Sequence, residues 1–286
     1  MYWLKRFLFR WKNKKQVIKA VSEHGMRLED ASKQLRADRE IVLAAVRETG
    51  LALKYASKEL RADREIVMAA LQTNRRALWD ASDELKADRE IVLATVQYNG
   101  WALGAASKEL RADREIVLAA VQKTGWALEY ASEELRADRG IVMPVVKKDW
   151  MAFQYASETL RADREFVLTG IKECGLNLEH ASKELRADRE IAIAAVQNNY
   201  HAFRLYVSEK LKSDITFIAT LMAIPEFEDR CLEIEKVNGE NYEEVLTAVR
   251  INGGVLKYAS KKLRGDREIV MAAVQKNGRI LQYASK

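Results

Sequence analysis

The sequence predicts an all-α solenoid of about eleven 25-residue helix-pair repeats, the last of them incomplete. A segment that reads Asp-Arg-Glu-Ile-Val-Leu-Ala-Ala-Val begins at Asp113 and recurs at steps of 25 residues, with close copies that begin at Asp38, Asp63, Asp88, Asp138, Asp163 and Asp188. A fixed period of this length is typical of solenoids, in which each repeat buries its apolar face only against its neighbours. The 286 residues include only two prolines, and 48% are hydrophobic, which favours packed helices over disorder.

The first helix of each repeat is predicted to begin at the recurring aspartate. In residues 113–137, the Asp113 side chain can cap the backbone N–H groups of the first turn, and Glu115 complements the helix dipole. The apolar positions that follow have the spacing of an amphipathic helix: Ile116, Val117, Ala120 and Val121. Gly125 stands where a left-handed residue would end the helix, and glycine recurs there in most repeats.

The second helix is predicted over residues 126–136. Ala127, Leu128 and Ala131 mark its buried side, and Leu135 with its equivalents is expected to supply large core residues. Only an Arg-Ala pair precedes the next aspartate, so the turn between repeats is tight. This pattern favours two separate helices, with a continuous bent helix through Arg-Ala-Asp-Arg as the alternative.

The recurring Arg-Ala-Asp-Arg-Glu motif carries charges that cancel within each repeat. We interpret it as helix caps with exposed salt links between adjacent repeats, each worth about 0–1 kcal/mol, rather than as an ion-binding ladder. No set of His, Cys and carboxylate residues has metal-ligand spacing, and the sequence has no phosphate loop or nucleophile motif. The sequence therefore predicts a protein that is not an enzyme, with no cofactor and no small-molecule substrate.

Residues 113–135 read Asp-Arg-Glu-Ile-Val-Leu-Ala-Ala-Val-Gln, followed after two residues by Gly-Trp-Ala-Leu-Glu-Tyr-Ala-Ser-Glu-Glu-Leu. This pattern resembles the bacterial and algal repeat family known as domain of unknown function 4116. The resemblance covers most of residues 13–213 and 241–286. It implies helical repeats with no established activity, so it transfers no catalytic residue to this chain.

The repeat pattern divides the chain into four segments. These are a basic amphipathic helix over residues 1–12, regular repeats over 13–213, a degenerate repeat or insertion over 214–240, and further repeats over 241–286. The third segment has lost the Gly-x-Ala-Leu-x-Tyr-Ala-Ser half and contains Pro225, which fits either a partner-docking insertion or a neutral irregularity that bends the array. Pro144 lies inside a predicted first helix and is expected to kink that helix rather than break it.

Two positions of the predicted second helix change chemistry from repeat to repeat while the core positions do not. They are three residues apart, so they share one face of a helix. Large aromatic residues and methionine at such positions are typical interface anchors. The face therefore predicts a protein-binding surface with Trp79, Trp101, Trp126 and Met151, and packing adapted to each neighbouring repeat is the alternative.

The N-terminal segment is basic, aromatic and amphipathic. We interpret it either as a half-repeat that caps the array, or as a surface for a membrane or an acidic partner. A targeting sequence is a third alternative. The residues expected to bind a membrane or acidic partner are Trp3, Lys5, Arg6, Phe7, Arg10, Trp11, Lys14 and Lys15.

The net charge of +6 is a local feature of the N-terminus. Residues 1–19 hold seven basic side chains and no acidic one, which leaves 41 basic against 42 acidic side chains in the rest. A nearly neutral repeat array weighs against nucleic acid as a partner, because binding along a phosphate backbone needs a sustained basic surface.

These features predict a non-catalytic scaffold that binds other proteins, or an accessory subunit of a larger assembly. The alternative is a peripheral membrane-binding module or a secreted bacterial effector, anchored by residues 1–19. Cys174 and Cys231 are the only cysteines and have no paired spacing, which indicates the cytoplasm or another reducing compartment. A membrane-peripheral or organellar location follows if the N-terminal segment is an anchor or a targeting signal.

Overall fold

A computed structural model of the chain describes residues 13–224, 227, 239–276 and 278–285. Helices form the regular structure of these residues, in which no β-strand occurs and Gly239 and Ala259 make one isolated bridge. The prediction of an all-α solenoid is therefore confirmed. The chain divides into two compact units, Met1–Val145 and Val146–Lys286.

In the first unit, each repeat begins with a regular α-helix, which is capped by Asn13 in the first repeat and by the recurring aspartate in the others. The Asp113 carboxylate accepts the backbone N–H groups of Glu115 and Ile116 at 2.9 and 3.1 Å, as the sequence predicted. The helices are Lys14–Glu23, Arg39–Glu48, Arg64–Thr73, Arg89–Val96 and Arg114–Lys123, and the helix Arg139–Lys148 contains the division between the units. That last helix runs through Pro144 without a break, and the predicted kink stays a prediction.

The second half of each repeat is not the single helix predicted over residues 126–136. It is a six-residue 3-10 helix and one short helical turn, with two extended residues between them. The 3-10 helices of the first unit are Gly25–Asp30, Gly50–Tyr55, Arg75–Asp80, Gly100–Ala105 and Gly125–Tyr130. The short turns are Leu35–Ala37, Lys58–Arg61, Asp83–Lys86, Leu110–Ala112 and Glu133–Arg136.

A serine accounts for this division of the second half. The Ser132 hydroxyl oxygen caps the short turn by accepting the Leu135 N–H at 3.4 Å. The Ser132 N–H donates to the Arg111 carbonyl oxygen of the preceding repeat at 2.9 Å, which a continuous helix would not allow. The chain is also extended at Asp113, so the two helices of the motif are separate, as the sequence favoured.

The core is built from the same positions in each repeat. The side chains of Ile116, Val117, Ala120 and Leu128 are completely buried. The leucine that the sequence placed among the large core residues is buried at Leu85, Leu110 and Leu160 and half-buried at Leu60, Leu135 and Leu185.

Glycine follows most of the first helices for a reason other than the predicted left-handed conformation. The residue before Gly125, Thr124, is extended, and the glycine begins the 3-10 helix. A Cβ atom at Gly50 would lie 2.2 Å from the Ala70 carbonyl oxygen, and Gly100 has an equivalent contact at 2.3 Å. Glycine is required because adjacent repeats approach too closely for a side chain.

The second unit has the same plan with more irregularities. Its first helices are Arg164–Glu173, Arg189–Asn198, Ile215–Leu221, Tyr242–Ile251 and Arg267–Lys276. The second elements are Trp150–Tyr155, Gly175–His180, His201–Leu205, Gly253–Tyr258 and Gly278–Tyr283. The short turns are Glu158–Arg161, Leu185–Ala187, Glu209–Lys212 and Lys261–Arg264.

The repeat that begins at Asp188 is one residue longer than the regular 25-residue repeats, and its His201–Leu205 element has a different helix type. It is α-helical rather than 3-10, because an α-helix takes more residues per turn. Residues 225–226 and 228–238, which include the acidic part of the predicted degenerate repeat, lie outside the described residues. Phe227 is described and buried, with its ring centroid 5.4 Å from that of Phe203. Whether the segment docks a partner or bends the array stays a prediction.

Candidate functional site

The charged motif forms a ladder of caps and ion pairs in the first unit. While one oxygen of Asp113 caps its helix, the other lies 3.3 Å from Nε of Arg89 in the preceding repeat. The Ile116 backbone N–H lowers the pKa of Asp113, burial opposes this shift, and the Arg89 guanidinium adds to it. The equivalent ion pairs are Lys14 with Asp38 and Glu40, Arg39 with Asp63 and Glu65, Arg64 with Asp88 and Glu90, Arg89 with Glu115, and Arg114 with Asp138. The interpretation of the motif as caps plus salt links is confirmed.

The first unit departs from its glycine rule at Arg75. This arginine begins a 3-10 helix at the position that Gly50 and Gly100 occupy in neighbouring repeats. The next first helix, Arg89–Val96, has 8 residues instead of the usual 10. The Thr95 carbonyl, equivalent to the one that approaches the glycines, accepts the N–H groups of both Tyr98 and Asn99 in a turn. The arginine at the glycine position therefore coincides with a shorter first helix in the following repeat.

An open groove lies beside this arginine. We call it the aromatic groove, and its lining residues are Arg75, Arg76, Trp79, Asn99, Trp101 and Ala102. Its volume is about 380 Å³. Trp79 and Trp101 remain 48% and 40% exposed, although rings of this size usually bury most of their surface.

The two indole rings are held in place by side chains of the following repeat. The ring centroid of Tyr130 lies 6.4 Å from that of Trp79 and 6.1 Å from that of Trp101, both edge-on. The Trp126 ring lies 6.1 Å from Trp101. A Cβ atom at Gly104 would lie 2.9 Å from two carbons of the Trp79 ring, so this glycine makes the space that the ring fills.

A second, smaller groove lies on the other side of Arg75. Its lining residues are Met68, Leu71, Gln72, Arg75, Ile91, Ala94, Thr95 and Tyr98. The Arg75 guanidinium lies over the Tyr98 ring, 4.6 Å from its centroid, and Tyr98 is 73% exposed. In the described part of the first unit, the exposed large apolar side chains are Met68, Trp79, Tyr98 and Trp101, so all of them border the two grooves.

The charge of these grooves is positive and unbalanced. Neither groove has a carboxylate in its lining, and among the described residues no carboxylate pairs with Arg75 or Arg76. Asp80 follows Trp79 in sequence, but the cations that act on it are Lys54, Arg61 and Lys86 rather than the groove arginines. Burial raises the pKa of Asp80, and the charges of those three cations lower it by less. These two arginines therefore present positive charge that no carboxylate of the described residues neutralises.

The sequence prediction for this surface was incomplete. Trp79, Trp101 and Trp126 lie together, although Trp126 is half-buried and supports Trp101. Met151 belongs to the second unit, where it is 39% exposed next to Trp150 at 40%. Sequence reasoning missed Met68, Arg75 and Tyr98, and the replacement of glycine at position 75 was the signal that indicated them.

The predicted N-terminal binding residues are only partly described. Trp3, Lys5, Arg6, Phe7, Arg10 and Trp11 lie outside the described residues, so both the capping and the membrane interpretations remain predictions. Lys14 is the first cation of the ladder, 2.8 Å from both Asp38 and Glu40, and Lys15 is exposed.

A membrane span and a metal site each impose a requirement on the described residues. None of their helices combines the length and apolarity needed to cross a bilayer. They contain no group of three or more His, Cys, Asp or Glu side chains placed to hold a metal ion.

Comparison with known proteins gives one family. The sequence model of the domain of unknown function 4116 matches residues 13–61, 63–111, 113–161, 163–212 and 241–286. Each match spans about two 25-residue repeats, so one copy of the family's domain corresponds to a pair of stacked repeats. No curated protein and no solved structure matches the chain.

Proposed function

The chain belongs to the domain of unknown function 4116 family, and we propose that it is a non-catalytic scaffold that binds other proteins. The aromatic groove of the first unit is the proposed contact surface. The observation that supports this most directly is the clustering of every exposed large apolar side chain of the described first unit around Arg75.

The composition of the surface favours a protein partner. Interface hot spots are enriched in Trp, Tyr and Arg and cluster where apolar side chains enter well-packed pockets. Trp79, Trp101, Tyr98, Arg75 and Arg76 supply this combination within two adjacent repeats. The regular repeats supply a rigid support, because their core positions are completely buried and their backbones are joined once per repeat.

Site-specific photo-cross-linking in the native cells tests this function. A photoreactive phenylalanine analogue in place of Tyr98, which is 73% exposed, is expected to give one defined protein adduct. The matched control carries the analogue in place of Lys108, an exposed residue of the same repeat that does not line either groove. Changing Trp101 and Trp126 to Ala is expected to remove the adduct while the helical circular dichroism signal remains.

Equal adducts at both positions, or none at either, would contradict the proposed surface. Unfolding of the Trp101→Ala, Trp126→Ala variant would assign both rings to the core instead. The alternative from the sequence, a membrane anchor in residues 1–19, is distinguished by flotation with vesicles of anionic phospholipid. Flotation that is lost when residues 1–12 are deleted would replace the scaffold function with a membrane-binding one.

A further inference from the structure

We propose that the partner of the aromatic groove is an acidic protein segment that carries a large apolar side chain. The inference rests on the proposed function and specifies the chemistry of the partner. The apolar side chain enters between Trp79 and Trp101, and carboxylates next to it in the segment pair with Arg75 and Arg76.

Charge complementarity is the first argument for an acidic partner. Arginine is common in this unit, but the ladder arginines Arg39, Arg64 and Arg89 each contact two carboxylates of the next repeat. Arg75 and Arg76 are different, because Arg75 is held by the Gln72 carbonyl oxygen and the Tyr98 ring rather than by an acid. A guanidinium forms its strongest contacts with carboxylates and phosphates, and no described carboxylate contacts Arg75 or Arg76.

The shape of the groove is the second argument. Its apolar walls are the two indole rings, and Tyr130 holds both of them in orientation. Walls that are already ordered lose little conformational entropy on binding, which favours a partner that inserts one side chain. Asn99 also lines the groove, but its side-chain oxygen is occupied because it accepts the Trp101 N–H at 3.2 Å.

The distribution of positive charge on the repeats favours a protein segment over nucleic acid or a membrane as the partner. Single-stranded nucleic acid and anionic membranes are bound by sustained basic surfaces. The repeats beyond residue 19 are nearly neutral, and the ladder cations beside the groove are already paired. Two adjacent arginines next to a pocket for one side chain fit a short acidic peptide, in which one apolar residue has acidic neighbours.

Selection from a random linear peptide library displayed on phage tests the inference, with the full-length chain as the target. The selected peptides are expected to combine Asp or Glu with a Trp, Phe or Leu residue. Their affinity, measured as synthetic peptides by fluorescence anisotropy, is expected to fall as the NaCl concentration is raised. Replacing each Asp and Glu of a selected peptide by Asn and Gln is expected to weaken binding at least about tenfold.

Variants of the chain test whether the two groove arginines bind the acidic residues of the peptide. The double variant Arg75→Gln, Arg76→Gln is expected to weaken binding of the acidic peptide about tenfold or more. The control is Arg47→Gln, at an exposed position where the next two repeats already have Gln72 and Gln97. It is expected to change the affinity by less than about twofold.

Several results would overturn the inference. They are selected peptides that are neutral or basic, acidic peptides that bind the double variant as tightly as the parent, and recovery of no peptide at all. Binding of single-stranded RNA or anionic vesicles that depends on Arg75 and Arg76 would also overturn it. If the acidic inference fails while the Tyr98 cross-link still yields a protein adduct, the proposed function stands without it. If neither the acidic peptides nor a Tyr98 adduct is found, the proposed protein-binding function is wrong as well.

Discussion

The junctions at Gly50 and Arg75 show how one repeat rule produces two different surfaces. At Gly50, the absent side chain lets the Ala70 carbonyl approach, and the next first helix has its full length. At Arg75, the next first helix ends early, and grooves open on both sides of the arginine. Close packing between repeats at Gly50 and open grooves at Arg75 therefore occur at the same position of the repeat.

Among the described residues, the second unit contains two more replacements of this glycine, and the following helices differ. After Tyr200, the next first helix, Ile215–Leu221, has only 7 residues. After Trp150, the next helix keeps its full length. Gly170 replaces the usual alanine in that helix, but it makes room for Phe153, whose ring would lie 2.4 Å from a Cβ atom there. A shortened helix therefore follows the replacement of this glycine at Arg75 and Tyr200 but not at Trp150.

The largest expected effect is acid destabilisation of the regular repeats. The caps Asp113 and Asp38 have pKa values below the ordinary 3.8, for Asp113 chiefly through the Ile116 N–H and for Asp38 chiefly through Lys14. A carboxylate with a lowered pKa stabilises the fold above its unfolded pKa and loses that contribution as the pH falls through its folded pKa. We expect the melting temperature to fall steeply below about pH 4.

Arginine does not titrate between neutral pH and pH 3, so the grooves of the molecules that are still folded keep their positive charge. Circular dichroism melts between neutral pH and pH 3 measure the effect. A melting temperature that is constant across this range would show that the caps contribute little to stability.

The next largest effect on stability is expected at Gly50, where adjacent repeats approach each other closely. Gly50→Ala places a Cβ atom 2.2 Å from a backbone oxygen and is expected to cost about 2–3 kcal/mol in the free energy of unfolding. The matched control is Gly278→Ala, at the same repeat position, where nothing lies within 4 Å. It is expected to change stability by less than about 1 kcal/mol. Urea denaturation compares the two, and similar costs would refute the explanation by close approach.

A smaller effect separates the two roles of the ladder aspartates. Asp113→Ala removes the cap and the ion pair and is expected to cost about 1–2 kcal/mol. Asp113→Asn keeps a capping oxygen and loses only the exposed pair with Arg89, at a cost of less than about 1 kcal/mol. Urea denaturation in low and high salt distinguishes them. Equal costs for both variants would mean that the ion pair dominates.

The smallest effect on stability is expected at the groove. Gly104→Ala places a methyl group 2.9 Å from the Trp79 ring and 3.0 Å from the Tyr130 ring that orients it. One of these partly exposed rings must shift, at an expected cost of about 1 kcal/mol. Displacement of the ring should nevertheless weaken binding of the selected acidic peptides. Thermal melts and anisotropy measure the two quantities, and unchanged affinity would show that the ring position is unimportant.

The candidate site was only partly predictable because its residues follow no period. The tryptophans stood out as large residues at variable positions. Arg75 was not singled out, because the recurring glycine that it replaces was attributed to backbone conformation rather than to contact with the next repeat. Knowing the contact would have directed attention to the shortened helix that follows.

The sequence by itself determined the all-α repeat architecture, the 25-residue period and the aspartate caps, because these depend on local patterns that recur along the chain. Tertiary structure alone decided that the second half is a 3-10 helix plus a turn, since the serine N–H bonds to a carbonyl of the preceding repeat. It also decided where the grooves lie, because contacts between repeats join residues about 20 to 30 positions apart that no local pattern relates.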